Sequence, residues 1–202
     1  MPKVSEVEKT ILSLVRKLGV LRLREATDHG IHPEQIRRLA QTGRLVRSGR
    51  GLYVAANFDA GIHNTLAQAS KRVPHGVICL LSALRFHEIG TQNPSEVWMA
   101  ISPKSRLPHV DAPHIRFARF SGPALSEGVE EHRGDGVPIC VYSVAKTVAD
   151  CFKYRNKIGI DVAMEALRDC RRKRKATSEE FWKYARICRV EKIMKPYMEA
   201  IR

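Results

Sequence analysis

The chain has 202 residues, 44% of them hydrophobic, which is enough to bury a core in one large domain or in two small ones. Lys and Arg number 35 against 21 Asp and Glu, and the formal net charge of +14 favours a polyanionic partner such as nucleic acid. No apolar run approaches the roughly 20 residues that span a bilayer, and the first residues lack the apolar core of a signal peptide. We therefore expect a cytoplasmic protein without membrane contact.

The first sixty residues predict a small winged helix-turn-helix domain, which we place at residues 1–57. The predicted elements are helices up to residue 18, at 22–29 and at 33–41, followed by strands at 45–47 and 52–54. Pro33 suits the first turn of the third helix, and Gly43 ends that helix. The Gly-Arg-Gly sequence at residues 49–51 supplies the permissive backbone of the turn between the strands.

The third helix and the hairpin after it present side chains that suit DNA. Ile36 and Leu39 fall on one face of the helix and are expected to pack on the first two helices. The opposite face and its flanks carry the candidates for contact with base edges, which are Gln35, Arg37, Arg38 and Gln41. The candidates for contact with the DNA backbone lie in or next to the hairpin, and they are Arg44, Arg47, Ser48 and Arg50.

Positive charge is concentrated in this segment. Residues 1–57 contain eleven Lys and Arg against five acids, a net charge of +6, and five of the eleven lie on the predicted third helix and hairpin. We expect the helix to enter the major groove while the hairpin contacts the adjacent phosphates. The alternative is a winged helix that binds another protein and whose charges are only solvated.

The remainder, residues 58–202, predicts a mixed α/β domain with a small, mostly antiparallel sheet and helices at its C-terminal end. The strand candidates are separated by loops that contain Pro and Gly, at about the spacing of hairpins. The helix candidates are residues 62–73, 78–89, 143–155, 160–172, 178–186 and 190–201, and the strand candidates are residues 96–101, 114–120, 129–133 and 137–142. The whole chain is therefore expected to belong to the α+β class.

No catalytic residue, metal ligand or cofactor site is predicted. The five cysteines are widely spaced and odd in number, which favours free thiols, and His29 and His32 have no Cys or acid at ligand spacing. The strands lack the acid-x-Lys pairs of a metal-dependent nuclease, and the sequence contains neither a phosphate loop nor a nucleophile elbow. Lys146 and Asp150 are four residues apart on a predicted helix, which indicates an ion pair on its surface rather than a catalytic pair.

Charged side chains in the second domain are candidates for a partner surface. A basic run at residues 171–175 ends a predicted helix, where Lys and Arg also suit the helix dipole, and a basic loop follows the strand at 96–101. The candidates are Lys104, Arg106, Lys146, Asp150, Arg171, Arg172 and Lys175. The alternative for each of them is a solvated charge without a partner.

Four segments occur along the chain in an order that is typical of one protein family. They are GRLVRSGRGLYVA at residues 43–55, VICLLSALRFHEIG at 77–90, EVWMAISPKSR at 96–106 and VPICVYSVAKTVADCFKYRNKIGIDVAMEAL at 137–167. The last contains a Lys-Thr-x-x-Asp step within a predicted helix. Together they resemble the AbiEi family, the antitoxins of type IV toxin–antitoxin (abortive infection) systems, over about residues 10–195.

The resemblance implies a cytoplasmic two-domain regulator without a cofactor. Its winged helix is then expected to bind inverted repeats in the double-stranded promoter DNA of its own operon, as a repressor. Its C-terminal antitoxin domain is expected to counteract a nucleotidyltransferase-like toxin, with or without a stable complex. Two alternatives remain: a stand-alone winged-helix transcription factor whose second domain senses a ligand or forms a dimer, and a nucleic-acid-processing enzyme.

Overall fold

The computed structural model describes residues 6–56, 62–108, 112–134 and 137–201, and every structural statement below refers to these ranges. Within them the chain forms eleven helices and two sheets, which confirms the expected α+β class. None of these helices combines the length and the apolar composition that a bilayer span requires.

Two compact units divide the described residues. The first comprises parts of Met1–Pro74, His109–His114 and His132–Ile139, and the second comprises parts of His75–Pro108, Ile115–Glu131 and Cys140–Arg202. The domain boundary predicted after residue 57 lies outside the described residues. The helix that follows it, Ile62–Arg72, belongs to the first unit and not, as predicted, to the C-terminal domain.

The first unit contains a three-stranded antiparallel sheet. Its elements in chain order are α1 (Glu6–Leu18), β1 (Leu21–Arg22), α2 (Leu23–Asp28), α3 (Pro33–Gln41), β2 (Leu45–Gly49), β3 (Leu52–Ala55) and α4 (Ile62–Arg72). The strand order is β1-β3-β2, so β3 is the central strand. The two-residue strand β1 is not predicted by the sequence pattern, whereas the helices and the other strands agree with the predictions to within about two residues.

Apolar side chains at helical spacing hold this unit together. Ile11 and Val15 on α1 and Ile36 on α3 are buried in the same core. The buried members of this core are Ile11, Val15, Leu21, Ala26, Ile31, Ile36, Leu39, Leu45, Tyr53 and Ala55. Burial of one Ile or Leu side chain contributes roughly 1.5–3 kcal/mol, so this core fixes α3 against α1 and the sheet.

The β2–β3 hairpin contains a bulge. The register between the strands shifts between Arg47 and Gly49, so Ser48 is the extra residue. A bulge of this kind increases the local twist and takes the residue out of the alternation of faces along the strand. Gly51 has φ +69°, a conformation that glycine adopts at little cost, and it completes the turn before β3.

The elements after α4 form a five-stranded sheet and seven helices. They are β4 (Val77–Ile78), α5 (Leu80–Phe86), β5 (Val97–Ile101), β6 (Ile115–Arg119), α6 (Pro123–Ser126), β7 (Val129–Gly134), β8 (Val137–Tyr142), α7 (Val144–Lys153), α8 (Arg155–Ile158), α9 (Ile160–Arg172), α10 (Ser178–Ile187) and α11 (Glu191–Ala200). The strand order is β6-β5-β4-β8-β7.

This sheet is mixed, which corrects the expectation of a mostly antiparallel sheet. β4 pairs antiparallel with β5 but parallel with β8, and β5 pairs parallel with β6. The connection between β5 and β6, residues 102–114, reaches the dozen or so residues that a parallel pairing needs, so it does not form a hairpin. Strand β4 lies at the start of a stretch that the sequence pattern assigns to a helix.

Helix α7 is central to the second unit. Residues 145–152 are all buried, and α7 packs against α5, α9 and α10. A helix enclosed in this way must pair its polar side chains internally, because a buried polar group without a partner is costly. Thr147 meets this requirement: its Oγ1 donates to the Tyr142 carbonyl oxygen at 3.1 Å, an oxygen that also lies 2.8 Å from the His87 Nε2.

Candidate nucleic-acid interface

Helix α3 begins with a reciprocal cap. The Glu34 N–H donates to the His32 Nδ1 at 3.2 Å, and the His32 N–H donates to the Gln35 Oε1 at 3.0 Å. This arrangement satisfies donors that the first turn of a helix otherwise leaves unpaired, and Pro33 has no N–H to satisfy. The carbonyl oxygen of the Gln35 side chain is therefore engaged in the cap, which reduces its capacity to contact a base.

The two faces of α3 differ as the helical period predicts. Ile36 and Leu39 are buried in the core of the first unit. Arg37, Arg38 and Gln41 are exposed to solvent. The core contact therefore fixes the helix so that three of the four candidates for base contact point away from the protein.

The two arginines of this face are engaged differently. Arg37 forms an exposed ion pair with Glu34, with 3.2 Å between its Nη1 and the Oε2 of the acid. Such a pair contributes less than about 1 kcal/mol, so it can be exchanged for a phosphate at small cost. The Arg38 side chain makes no hydrogen bond or ion pair with the residues of the described ranges, so all of its N–H donors are available to a ligand.

The hairpin adds three exposed arginines. The Arg44 Nε lies 3.7 Å from the Glu8 Oε1 on α1. The Arg47 Nε donates to the Gly49 carbonyl oxygen at 3.3 Å, a bond that orders the side chain beside the bulge. Arg50 lies exposed in the turn between the strands. Guanidinium groups bind phosphate oxygens in a fork geometry, so this edge of the unit suits a DNA backbone.

Ser48 is a correction to the predicted set. Its Oγ is buried, and no described residue forms a hydrogen bond with it. The bulge takes this residue out of the alternation that exposes its neighbour Arg47. The structure therefore contradicts the prediction that this hydroxyl contacts a phosphate.

A basic loop in the second unit is held in place by one arginine. The Nη1 of Arg119 lies within 3.0 Å of three carbonyl oxygens, those of Ser102, Pro103 and Ser105. Lys104 and Arg106, two candidates for a partner surface, are exposed on this loop. The sequence pattern did not single out Arg119, because its partners lie 14 to 17 residues away and no local spacing connects them.

Lys146 and Asp150 form an ion pair as predicted, but the pair is buried. The Lys146 Nζ lies 2.7 and 2.6 Å from the two carboxylate oxygens, and the two side chains are 0% and 2% exposed. Because α7 is enclosed by other helices, neither residue can contact a partner protein. The prediction that they lie on a helix surface and belong to a partner surface is therefore wrong.

The basic run at the end of α9 makes contacts within the second unit. Hydrogen bonds connect Arg171 to the Met198 carbonyl (3.1 Å), Arg172 to the Asp169 carboxylate (2.5 Å) and Lys175 to the His87 carbonyl (2.5 Å). His87 is the C-cap of α5, so Lys175 places a positive charge at the negative end of that helix. These contacts give the run a structural role, and a partner role stays a prediction.

The cysteines are free thiols, as expected. Burial raises the pKa of the Cys151 thiol well above its usual value, which disfavours the reactive thiolate. In the described part of the chain, no group of three or more His, Cys, Asp or Glu is placed to hold a metal ion.

A comparison with protein families finds a match for part of the first unit. Residues 9–56 match the model of a family described as a transcriptional regulator, AbiEi antitoxin. Over these residues the first unit is similar to that family. This match confirms the resemblance for the segment that contains α3 and the hairpin, and it supports a DNA-binding antitoxin that acts as a transcriptional regulator. The AbiEi match ends at residue 56, so the resemblance of the second unit stays a prediction.

A solved structure shares the fold. The crystal structure of the RV2827C protein from Mycobacterium tuberculosis superimposes with a TM-score of 0.62 over 90% of this chain and 72% of that one. Because the sequences are 13% identical, the likeness shows the fold alone. No curated protein matches the chain.

Proposed function

We propose that the segment matched by the AbiEi family forms a winged helix-turn-helix in which α3 enters the major groove of DNA. The order helix–strand–helix–helix–strand–strand, closed by a three-stranded antiparallel sheet, supports this assignment. In this arrangement α3 is the recognition helix and the β2–β3 hairpin is the wing. The single observation that carries the proposal is the exposure of Arg38. Its guanidinium lies on the face of α3 opposite the core and forms no hydrogen bond or ion pair with the described residues.

The proposed contacts follow from the chemistry of each side chain. Arg38 and Gln41 suit the guanine and adenine edges of the major groove, because each can form two hydrogen bonds with one base. Arg37 can contact DNA once a phosphate or base takes the place of the Glu34 carboxylate in its ion pair. Gln35 still has its side-chain amide nitrogen to donate to a base or phosphate. The wing contributes Arg44, Arg47 and Arg50 as backbone contacts, without Ser48. This division assigns specificity to α3 and salt-dependent affinity to the wing.

We further propose that the chain represses its own promoter and acts in the cytoplasm as the antitoxin of a type IV pair. The AbiEi match and the net charge of +14 support the binding of duplex DNA, and the resemblance implies that this DNA contains inverted repeats. The second domain then counteracts a nucleotidyltransferase-like toxin without catalysing a reaction itself. Lys104 and Arg106, exposed on the loop that Arg119 orders, are the proposed partner contacts in that domain.

DNA binding is tested by titrating the full chain against a labelled duplex from upstream of its own coding sequence. A scrambled duplex of the same length is the control, and each titration is repeated at several salt concentrations. If the three wing arginines contact phosphates, the logarithm of the association constant K should fall linearly with the logarithm of the salt concentration. The expected slope is roughly −3 for each bound chain. Equal affinity for both duplexes, or affinity that does not change with salt, would contradict the proposal.

The antitoxin activity needs a separate test in cells. Where the gene adjacent to that of the chain encodes a nucleotidyltransferase, the two proteins are expressed together, and growth is compared with that of cells expressing the nucleotidyltransferase alone. We expect growth to be restored by the wild type and equally by Arg38→Ala, which is designed to lose repression only. Failure of both proteins to restore growth would favour a stand-alone transcription factor.

A further inference from the structure

The last turn of α4 contacts the start of α2. The Lys71 Nζ lies 2.6 Å from the Glu25 Oε2 and also donates to the Val20 carbonyl oxygen, and the Lys71 side chain is only 9% exposed. A lysine loses most of its hydration in such a place, so its charge must be compensated by these oxygens. The contact is therefore a fixed part of the first unit rather than a mobile surface pair.

Glu25 connects this lysine to the wing. Its Oε2 also accepts a hydrogen bond from the Arg22 N–H at 2.9 Å, and Arg22 pairs with Leu52 on β3. One residue later, the Leu23 N–H donates to the Gly51 carbonyl oxygen at 2.9 Å, in the turn of the wing itself. A short series of hydrogen bonds thus leads from the end of α4 to the central strand and the tip of the hairpin.

Arg72 contacts the other strand of the wing. A Cβ atom built on Gly49 would overlap the Arg72 guanidinium, so only glycine lets this group lie against the backbone of β2. Gly49 is the last residue of β2 and directly precedes Arg50. Two adjacent residues of α4 therefore reach both strands of the hairpin. Lys71 is connected to β3 by way of Glu25 and β1, whereas Arg72 lies directly against β2.

We propose that Lys71 and Arg72 are positioning residues for DNA binding, which hold the wing so that Arg50 meets a phosphate. A two-stranded hairpin is marginally stable by itself, and ordering it at the moment of binding reduces affinity. The end of α4 orders it beforehand. This inference rests on the proposed DNA-binding function, and it extends the DNA-binding unit beyond residue 56, where the AbiEi match ends.

A double-mutant cycle on the full chain tests this role. The binding of the upstream duplex is measured for Lys71→Met in three backgrounds: wild type, Arg50→Ala and Arg38→Ala. We expect Lys71→Met to weaken binding about tenfold in the wild type and the Arg38→Ala background, but about twofold or less once Arg50 is gone. The charge-matched control is Lys195→Met on α11, which removes one positive charge and is expected to leave the affinity unchanged.

Arg72→Lys is the second variant, because it keeps the charge and removes only the planar group against Gly49. Its loss of affinity for the duplex must likewise become small in the Arg50→Ala background. Circular dichroism establishes that each variant is folded. The proposal is overturned if either folded variant binds like the wild type, or if its loss is equal in the Arg50→Ala and Arg38→Ala backgrounds. If Arg38→Ala and Arg50→Ala themselves leave binding unchanged, the DNA-binding function fails and this role fails with it.

Discussion

Lys146 and Asp150 form an ion pair one helical turn apart in the interior of the second unit. The Lys146 Nζ lies within 2.7 Å of both carboxylate oxygens, and the Cys188 Sγ donates to one of them at 3.2 Å. The ammonium group also lies 4.0 Å from the centroid of the Tyr142 ring, a cation–π contact. Each charge is thus fully surrounded by partners, as a buried pair requires.

Removing one partner of this pair is expected to be far more damaging than removing both. Lys146→Met leaves a buried carboxylate without its cation, and we expect the free energy of unfolding to fall by about 3–5 kcal/mol. The double variant Lys146→Met, Asp150→Leu removes both charges and is expected to recover most of that loss. Urea unfolding at pH 7 measures all three proteins.

The exposed pair Lys195–Glu199 on α11 is the matched control for that experiment. It has the same spacing of four residues, a separation of 3.9 Å and side chains that are both 64% exposed. Lys195→Met is expected to change the free energy of unfolding by less than about 0.5 kcal/mol. A double variant of the buried pair that is no more stable than Lys146→Met would show that volume, not charge, determines the loss.

Asp150 should also give the stability of the protein a measurable pH dependence. Burial raises the pKa of this carboxyl from 3.8 to about 6, although Lys146 and Cys188 act in the opposite direction. Because the folded state binds the proton more tightly, this stabilising contribution is complete below about pH 4 and is lost as the pH rises through 6. We expect the contribution of this carboxyl to the free energy of unfolding to decrease over this range.

The comparison that checks this dependence is Asp150→Asn, which keeps the shape and cannot titrate. Urea unfolding is measured at pH 4, 5, 6 and 7 for both proteins. The difference in unfolding free energy between wild type and variant should change with pH between 4 and 6 and then become constant. A difference that is the same at all four pH values would contradict the raised pKa.

Asp169 is expected to show the opposite pH dependence. The hydrogen bond from Lys173 is the largest cause that lowers its pKa, from 3.8 to about 2, and the Gly90 N–H and Arg172 add to it. Because the folded state holds this carboxyl ionised, its stabilising contribution is present above about pH 4 and is lost as the pH falls through 2.

The variant Asp169→Asn tests that contribution. We expect it to lower the free energy of unfolding by about 1–2 kcal/mol at pH 7, since the exposure of Arg172 and Lys173 screens part of the interaction. The loss should be smaller at pH 3, because there the carboxyl of the unfolded chain, with its ordinary pKa of 3.8, is largely protonated and part of the stabilising contribution is already gone. Thermal unfolding at the two pH values measures the difference, and an equal loss at both would exclude the ionised carboxylate as its cause.

Local patterns predicted the elements of the fold better than their pairing. Helix α9 was predicted with its observed bounds, because its apolar positions recur at helical spacing after Gly159. Strand β4 was missed because an apolar run such as the one that starts at Val77 fits a buried strand as well as a buried helix. The parallel pairing of β5 with β6 depends on the path of the loop that connects them, and the spacing of residues within either strand does not predict that path.

In the candidate site, too, local features could be predicted from the sequence and tertiary contacts could not. The exposure of Arg38 followed from the helical period, because Ile36 marks the buried face of α3. The burial of Lys146 did not follow, because a spacing of four residues looks the same on an exposed helix and on one enclosed by three others. The contact between Lys71 and Glu25 joins residues 46 positions apart, so only the tertiary structure could show it.

Arg38 and Arg50 are expected to affect DNA binding in different ways. Arg38→Ala should weaken binding to the best duplex by about 1–3 kcal/mol and relax specificity at one base position. Arg50→Ala should weaken all duplexes about equally and reduce the slope of log K against log salt by about 1. Titrations against a set of single-base duplex variants at several salt concentrations distinguish the two patterns. Uniform weakening by Arg38→Ala would show that α3 does not contact the bases.

The basic run after α9 can be assigned to structure or to a partner by comparing two neighbouring side chains. Lys175 donates to the His87 carbonyl oxygen at the end of α5, whereas the Arg174 side chain makes no hydrogen bond or ion pair with other described residues. Lys175→Gln is therefore expected to lower the free energy of unfolding by about 0.5–1.5 kcal/mol, while Arg174→Gln removes the same charge at almost no cost.

DNA affinity and the proposed antitoxin activity are then measured for the same two variants. If the run is structural, both activities should equal those of the wild type for Arg174→Gln, and for Lys175→Gln at temperatures where it remains folded. A loss of either activity in Arg174→Gln without a change in stability would instead assign the run to a partner surface, because that side chain has no hydrogen bond or ion pair with the described residues to lose.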